Sequence, residues 1–164
     1  MNIRPRRNRL TKGIRNLVKE TTVQPQNLVW PAFVQEGKNQ RNPIVSMPGI
    51  SRLSIDQLVA DSKKAFELGV PAIALFPAID ESLKNSEGKE SLNPDGLLQR
   101  AIKELKQKVP ELVVITDVAL DPYSSDGHDG LVQDGQILND ETLPLLAGMA
   151  VAQAKAGADV VAPS

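Results

Sequence analysis

The chain has no cysteine among its 164 residues, which excludes disulfide bonds, a thiolate nucleophile and a cysteine-bound metal. Aromatic side chains make up only 3% of the residues, so a hydrophobic core must consist of aliphatic side chains. The single histidine, His128, has no second histidine or cysteine with which to share a metal ion. The sequence also lacks an apolar run near the ~20 residues that span a bilayer, and its N-terminus lacks the apolar segment of a secretory signal. These absences fit the cytosol and predict no membrane partner.

Positive charge is concentrated at the start of the chain. The first 20 residues carry seven basic side chains and one acid, which gives +6, whereas the remainder carries 12 basic and 19 acidic groups, which gives −7. A basic segment of this kind is typical of a nucleic-acid-binding tail, an organelle transit peptide or an arm that binds a neighbouring subunit. No aromatic residue alternates with the arginines to stack on bases, and the serines of a transit peptide are missing. We therefore favour the arm and expect no nucleic acid partner.

Strand and helix patterns alternate through the rest of the chain. Short apolar runs predict strands at 28–34, 72–76, 112–118 and 160–162. Between them, helical spacing predicts helices over 54–69, 93–110 and 139–157. This order predicts a parallel sheet, which is compatible with an open doubly wound sheet or with a (β/α)8 barrel. A barrel needs ~250 residues, so this chain would supply about half of one.

Three local patterns set the predicted helix boundaries. Ser54-Ile-Asp-Gln57 has the spacing of a capping box, and Asn93 with Pro94 predicts the start of the next helix. The stretch Asn139-Asp140-Glu141-Thr142 resembles an acidic metal cluster. Because it precedes a long apolar-periodic segment, we interpret it as a helix N-terminus.

The segment from Asp117 to Gly130 is the strongest candidate for a functional site. An apolar strand, Leu112 to Val118, ends in this segment, which also contains Asp121, Asp126, Asp129 and His128. Ligands of α/β proteins bind at the carboxyl ends of parallel strands, which makes these residues an active-site hypothesis. The alternative is a solvated loop in which Asp and Gly serve turns. For His128 we favour the loop surface.

A set of motifs, in this order, resembles the porphobilinogen synthase family, also called 5-aminolevulinate dehydratase. The motifs are Arg4-Pro-Arg-Arg-Asn-Arg9, Pro31-Ala-Phe-Val-Gln-Glu-Gly37, Ser46-Met-Pro-Gly49 with Arg52, Ala72-Ile-Ala-Leu-Phe-Pro77, Asp117 to Gly130, Asn139-Asp140 and Ala156-Gly-Ala-Asp159 to Ser164. The resemblance implies an α/β fold, the N-terminal half of a (β/α)8 TIM barrel preceded by an extended N-terminal arm. It divides the chain into a basic arm, residues 1–24, and the first half of the barrel, residues 25–164, with three βα units and a fourth strand.

The resemblance implies a lyase that condenses two molecules of 5-aminolevulinate into porphobilinogen in tetrapyrrole (heme and chlorophyll) biosynthesis. In the family, two lysines form Schiff bases with the substrates, and both belong to the half of the family sequence that has no counterpart here. No lysine of this chain receives that role, including Lys155, whose helical spacing favours a solvated face. We therefore expect the 164-residue chain alone to be inactive. The alternative is a non-catalytic fragment or pseudoenzyme that acts only in subunit assembly.

The resemblance also places residues in the active-site cavity. Zinc-dependent members have three cysteines at the positions of Ala119, Asp121 and Asp129, so a catalytic zinc ion is not expected. Magnesium remains compatible with the acidic members of the family, with its ligands outside this chain. Asp117, Asp121, Asp129 and Ser164 are expected to face the cavity or the substrate, and we assign no metal ligand among them.

For the arm, the resemblance implies contact with a neighbouring subunit and assembly into a homo-octamer. Arg4, Arg6, Arg7 and Arg9 suit such an interface because guanidinium groups form bidentate bonds with carboxylates. Met1 stands almost directly before the family arm, which favours a bacterial cytoplasmic protein. A chloroplast location is expected if the source is a plant.

Overall fold

A mixed sheet of six strands forms the framework of the computed structural model, which describes residues 5–164. Its strands are β1 (Val29–Gln35), β2 (Arg41–Pro43), β3 (Ser51–Leu53), β4 (Ala72–Ala78), β5 (Val113–Val118) and β8 (Val160–Pro163), and a separate hairpin comprises β6 (Leu131–Gln133) and β7 (Gln136–Leu138). The helices are α1 (Lys12–Leu17), α2 (Ile55–Glu67), α3 (Leu97–Lys108) and α4 (Asn139–Ala156). The sheet order is β2-β3-β1-β4-β5-β8, and β1, β4, β5 and β8 are parallel. The predicted parallel sheet is therefore confirmed.

The core lies between the sheet and α2, α3 and α4. Alternate strand residues, such as Val34, Leu75 and Val114, are fully buried against the helices. The aliphatic spacing predicted for α3 is confirmed, because Leu97, Leu98, Ile102 and Leu105 are all buried. The opposite face of the sheet carries Phe33 and Phe76, whose ring centroids lie 5.6 Å apart.

Several predicted boundaries and local bonds differ in the structure. Strand β4 continues through Pro77 to Ala78, and α3 begins at Leu97 because Asn93 Oδ1 instead accepts the Asp95 N–H, which forms a turn. The short strands β2, β3, β6 and β7 were not predicted. Helix α4 begins at Asn139, as predicted.

The predicted capping box is wrong, although α2 does follow Ser54. The Ser54 Oγ accepts the Gln40 N–H at 2.9 Å and donates to Asp56 Oδ1 at 2.6 Å. The Gln57 side chain donates to Asn39 at 2.9 Å and does not return to the helix N-terminus. Tertiary partners from the β1–β3 connection have replaced the local bonds.

Within residues 5–24 the chain forms a 3-10 turn at Arg7–Arg9 and the short helix α1. Thr11 caps α1 by accepting the Ile14 N–H at 3.1 Å. None of these residues is buried. Arg4, part of the predicted arm, lies outside the described residues. The division into arm and barrel stays a prediction.

Candidate active site

The carboxyl ends of the parallel strands meet at one edge of the sheet, and β5 brings Asp117 to that edge. Asp117 is paired in register with Ala162 of β8. Two residues further along each strand are Ala119 and Ser164, and the Ser164 N–H donates to Val118 O at 3.3 Å. Since paired residues of parallel strands point to the same face, Asp117, Ala119 and Ser164 belong to the sheet face opposite α2, α3 and α4.

The structure brings the three predicted aspartates together. The Asp121 N–H approaches Asp129 Oδ1 at 3.5 Å, which closes the loop between them. Partial burial raises the pKa of Asp117, and the nearby Asp129 carboxylate raises it further. Loss of hydration also raises the pKa of Asp121, with added repulsion from Asp129 and Asp117. With their pKa values raised, Asp117 and Asp121 hold a proton to a higher pH than an ordinary aspartate does.

Apolar residues anchor this acidic loop from below. Leu120 O accepts the N–H groups of Tyr123 at 2.9 Å and Ser124 at 3.0 Å, which forms a tight turn after β5. Leu120 and Tyr123 are buried with Val118 and Met149 of α4. The loop therefore has a fixed base and exposes its acids toward the strand ends.

The connection after β4 supports the same loop through backbone hydrogen bonds. The Asn85 N–H donates to Tyr123 O at 3.3 Å, and the Ser125 N–H donates to Asn85 O at 3.2 Å. The Tyr123 hydroxyl, which is buried, has no hydrogen-bond partner among the described residues. Burial raises the pKa of this hydroxyl, and the charges of Glu90 and Asp117 raise it further. The hydroxyl therefore stays protonated and lies close enough to Asp117 to sense its charge.

The family model for delta-aminolevulinic acid dehydratase matches residues 2–164. The chain belongs to this family. It is 49% identical over 162 residues to the delta-aminolevulinic acid dehydratase of Bradyrhizobium diazoefficiens, covering 99% of this chain and 46% of the relative. The chloroplastic enzyme of Selaginella martensii is 55% identical over 163 residues, covering 98% of this chain and 39% of the relative.

A solved structure is similar over the whole chain. It is the delta-aminolevulinic acid dehydratase (porphobilinogen synthase) of Toxoplasma gondii ME49 in complex with the reaction product porphobilinogen, with a TM-score of 0.95 and 48% identity, covering 100% of this chain and 47% of that chain. The chain thus spans about half the length of the relatives it matches, or less. The predicted fold, the first half of a (β/α)8 barrel, is confirmed, and the sheet of the described residues is not closed.

A cleft of about 680 Å³, which Pro122 of the acidic loop helps to line, is a feature that sequence reasoning missed. It lies where β1 and β4 end, and its charged lining residues are Glu36, Arg52, Asp80, Glu81 and Lys84. Lys84 Nζ pairs with Glu81 Oε1 at 2.6 Å, and hydrogen bonds from Ser82 lower the pKa of Asp80. Glu36 is the first residue after β1 and Asp80 the second after β4, so the rule that led to Asp117 would have found them too.

The remaining candidates lie apart from the site or on its surface. His128 and Lys155 are exposed, and Asp140 and Glu141 occupy the first turn of α4. Among residues 5–164, no group of three or more histidine or acidic side chains has the geometry to hold a metal ion. In the same described part of the chain, no helix is both long and apolar enough to cross a bilayer.

Proposed function

We propose that this chain supplies the first four barrel strands of a porphobilinogen synthase, a lyase that condenses two 5-aminolevulinate molecules with release of water. The observation that carries the proposal is the convergence of Asp117, Asp121 and Asp129 at the strand ends, in a chain 48% identical to a relative solved with porphobilinogen. Membership of the family supports the reaction class.

In this proposal the aspartates move protons and orient the substrate amine, while lysines outside these residues form the Schiff bases. Condensation requires proton removal beside a carbonyl and proton delivery to the departing oxygen. Asp117 suits that work because its pKa is raised and because its side chain lies on the sheet face opposite the helices. Asp121 and Asp129 extend the acidic surface toward solvent, where a substrate ammonium group would meet it.

The donor set argues against a catalytic zinc ion held as in the cysteine-containing members. At the three positions this chain has Ala119, Asp121 and Asp129; Ala119 is 5% exposed and offers a methyl group. Two carboxylates without thiolates suit a hard cation better than zinc. The proposal includes a magnesium ion only if its ligands come from outside the described residues.

The partners and location follow from the same reasoning. We propose a homo-octamer in the complete protein, with Arg6, Arg7 and Arg9 in the exposed arm contacting acidic groups of a neighbour. We propose the bacterial cytoplasm as the location, or the chloroplast if the source is a plant, since both a bacterial and chloroplastic relatives are similar.

The test uses the 164-residue chain and the full-length gene product side by side. Each is incubated with 5-aminolevulinate and then borohydride, which reduces a Schiff base to a stable amine. Intact mass reports the adduct, and a colorimetric assay reports porphobilinogen. We expect product and adduct from the full-length gene product and neither from residues 1–164.

An adduct on the short chain would assign the chemistry to one of its own lysines, and Lys84 in the cleft would be examined first. A full-length protein that assembles but makes no product would favour the assembly-only alternative.

A further inference from the structure

A buried glutamine on α4 reaches across to the strand that carries Asp117. Gln153 is fully buried, and its Nε2 donates to the backbone O of Asp117 at 2.9 Å. Its Oε1 accepts the hydroxyl of Thr116, also fully buried, at 2.7 Å. The side chain thus bonds to two consecutive residues of β5 from the helix side of the sheet, while the Asp117 carboxyl lies on the other side.

The strand register explains why Asp117 O needs a donor from outside the sheet. Val113 pairs with Ala72 and Thr116 with Leu75, and the Val113 N–H donates to Pro71 O. In a parallel ladder this pattern repeats every two residues. If the same pattern continued to Asp117, the backbone N–H of residue 77 would donate to Asp117 O.

Residue 77 is a proline and has no N–H. The β4–β5 pairing accordingly ends at Leu75 and Thr116, although β4 itself continues to Ala78. A buried carbonyl without a donor is destabilising and leaves the strand end free to shift. The Gln153 amide occupies this position in the hydrogen-bond pattern.

We infer that Gln153 is a positioning residue for Asp117, because it replaces the ladder hydrogen bond that Pro77 cannot donate and so fixes the end of β5. The catalytic consequence rests on the proposed function; the structural one does not. Because Asp117 lies beyond the last residue of β5 that pairs with β4, and one residue before the strand ends, a shift of its backbone moves its carboxyl group relative to Asp121 and Asp129.

The test compares three variants of the full-length gene product with the parent protein. Gln153→Met keeps the side-chain length and removes the donor. Gln153→Met combined with Pro77→Ala returns an N–H to the ladder position. Thr116→Val is the matched control, since it removes the other hydrogen bond of Gln153 and leaves the bond to Asp117 in place.

Two readouts are measured. The first is kcat and KM for porphobilinogen formation, and the second is amide hydrogen exchange in peptides covering 113–123. We expect Gln153→Met to lower kcat by on the order of tenfold, since small misplacement of a reacting group is enough for such a loss. Exchange at the end of β5 should accelerate. Adding Pro77→Ala should reverse most of both effects, and Thr116→Val should produce a smaller change.

Several outcomes would overturn the inference. One is that Gln153→Met changes neither the hydrogen exchange nor kcat. Another is that Gln153→Met lowers kcat and accelerates exchange, but Pro77→Ala does not reverse these effects and Thr116→Val reproduces them, as expected if Gln153 only fills space in the core. If Gln153→Met does not fold alone, recovery of folding by Pro77→Ala supports the inference and failure to recover overturns it. If the parent protein makes no product, the proposed function fails while hydrogen exchange still decides the role of Gln153.

Discussion

Gly88 lies directly against Leu120: a β-carbon added at Gly88 would overlap the Cδ1 of that buried side chain. Gly88 also has a left-handed backbone, with φ of +57°, which favours glycine. The contact joins the connection after β4 to the base of the acidic loop. The spacing of the aspartates therefore depends on a glycine that is about 30 residues away in sequence.

We predict that Gly88→Ala lowers the free energy of unfolding by about 1–3 kcal/mol. The substitution strains the backbone at Gly88, and it also forces the buried Leu120 side chain to move. Urea denaturation measures the change. Gly135→Ala is the matched control, since Gly135 has a similar φ of +74° but open space where the β-carbon would lie. Equal losses in the two variants would show that backbone strain alone is responsible.

Replacing Asp117 tests the proposed proton-transfer role. In the full-length gene product we expect Asp117→Asn to lower kcat by roughly 10²–10⁴-fold, which is the usual effect of removing a general acid or base. Asp126→Asn in the same loop is the control, because the Asp126 side chain is exposed and its carboxyl is not part of the cluster. Unchanged turnover in Asp117→Asn would remove Asp117 from the mechanism.

The pKa shifts predict opposite pH effects for two aspartates. The pKa of Asp121 is raised in the folded state, so its stabilising contribution is present below the unfolded value and is lost as the pH rises through the folded pKa. The pKa of Asp56 is lowered, chiefly by the Ser54 hydroxyl, so its contribution is present at neutral pH and is lost in acid.

At pH 7, Asp121→Asn should therefore raise the free energy of unfolding, and Asp56→Asn should lower it. Both differences should shrink at pH 3–4, near and below the ordinary aspartate value of 3.8. Urea denaturation at the two pH values is the measurement. The same sign for both variants at pH 7 would contradict the assigned shifts.

The sequence predicted the parallel strand order and the buried face of α3 because both follow from short-range spacing. It failed at Pro77, because the predicted strand ended at residue 76 whereas β4 continues to Ala78. In the ladder, alternate residues of a strand bond to opposite neighbours, and the missing N–H of Pro77 points toward β5. Pairing with β1 is undisturbed, so β4 continues. Pro31 of β1 is tolerated in the same way. Its backbone nitrogen faces β3, and β1 pairs with β3 only from Phe33 onward.

For the site, the aspartates were predictable because they follow a strand, but their support was not. Asn85 bonds to Tyr123 and Ser125, and Gln153 bonds to Asp117, across 36 or more residues. Local pattern carries no signal for such pairs. Ser54 shows the same limit at a helix end, where a backbone N–H from Gln40 takes the place of the predicted local bond.

The basic arm should determine assembly size if it contacts a neighbouring subunit. Its described residues, 5–24, include no buried side chain, and only Ile14 is partly shielded, so within one subunit they add little to the core. We expect deletion of residues 1–20, which also removes α1, from the full-length gene product to yield smaller assemblies in sedimentation velocity while α2, α3 and α4 stay folded. Replacing Arg6, Arg7 and Arg9 by lysine keeps the charge but removes the planar, bidentate guanidinium groups. An intermediate loss of assembly in the lysine variant would locate the effect in arginine–carboxylate contacts, whereas octamers that persist after the deletion would contradict a role for the arm.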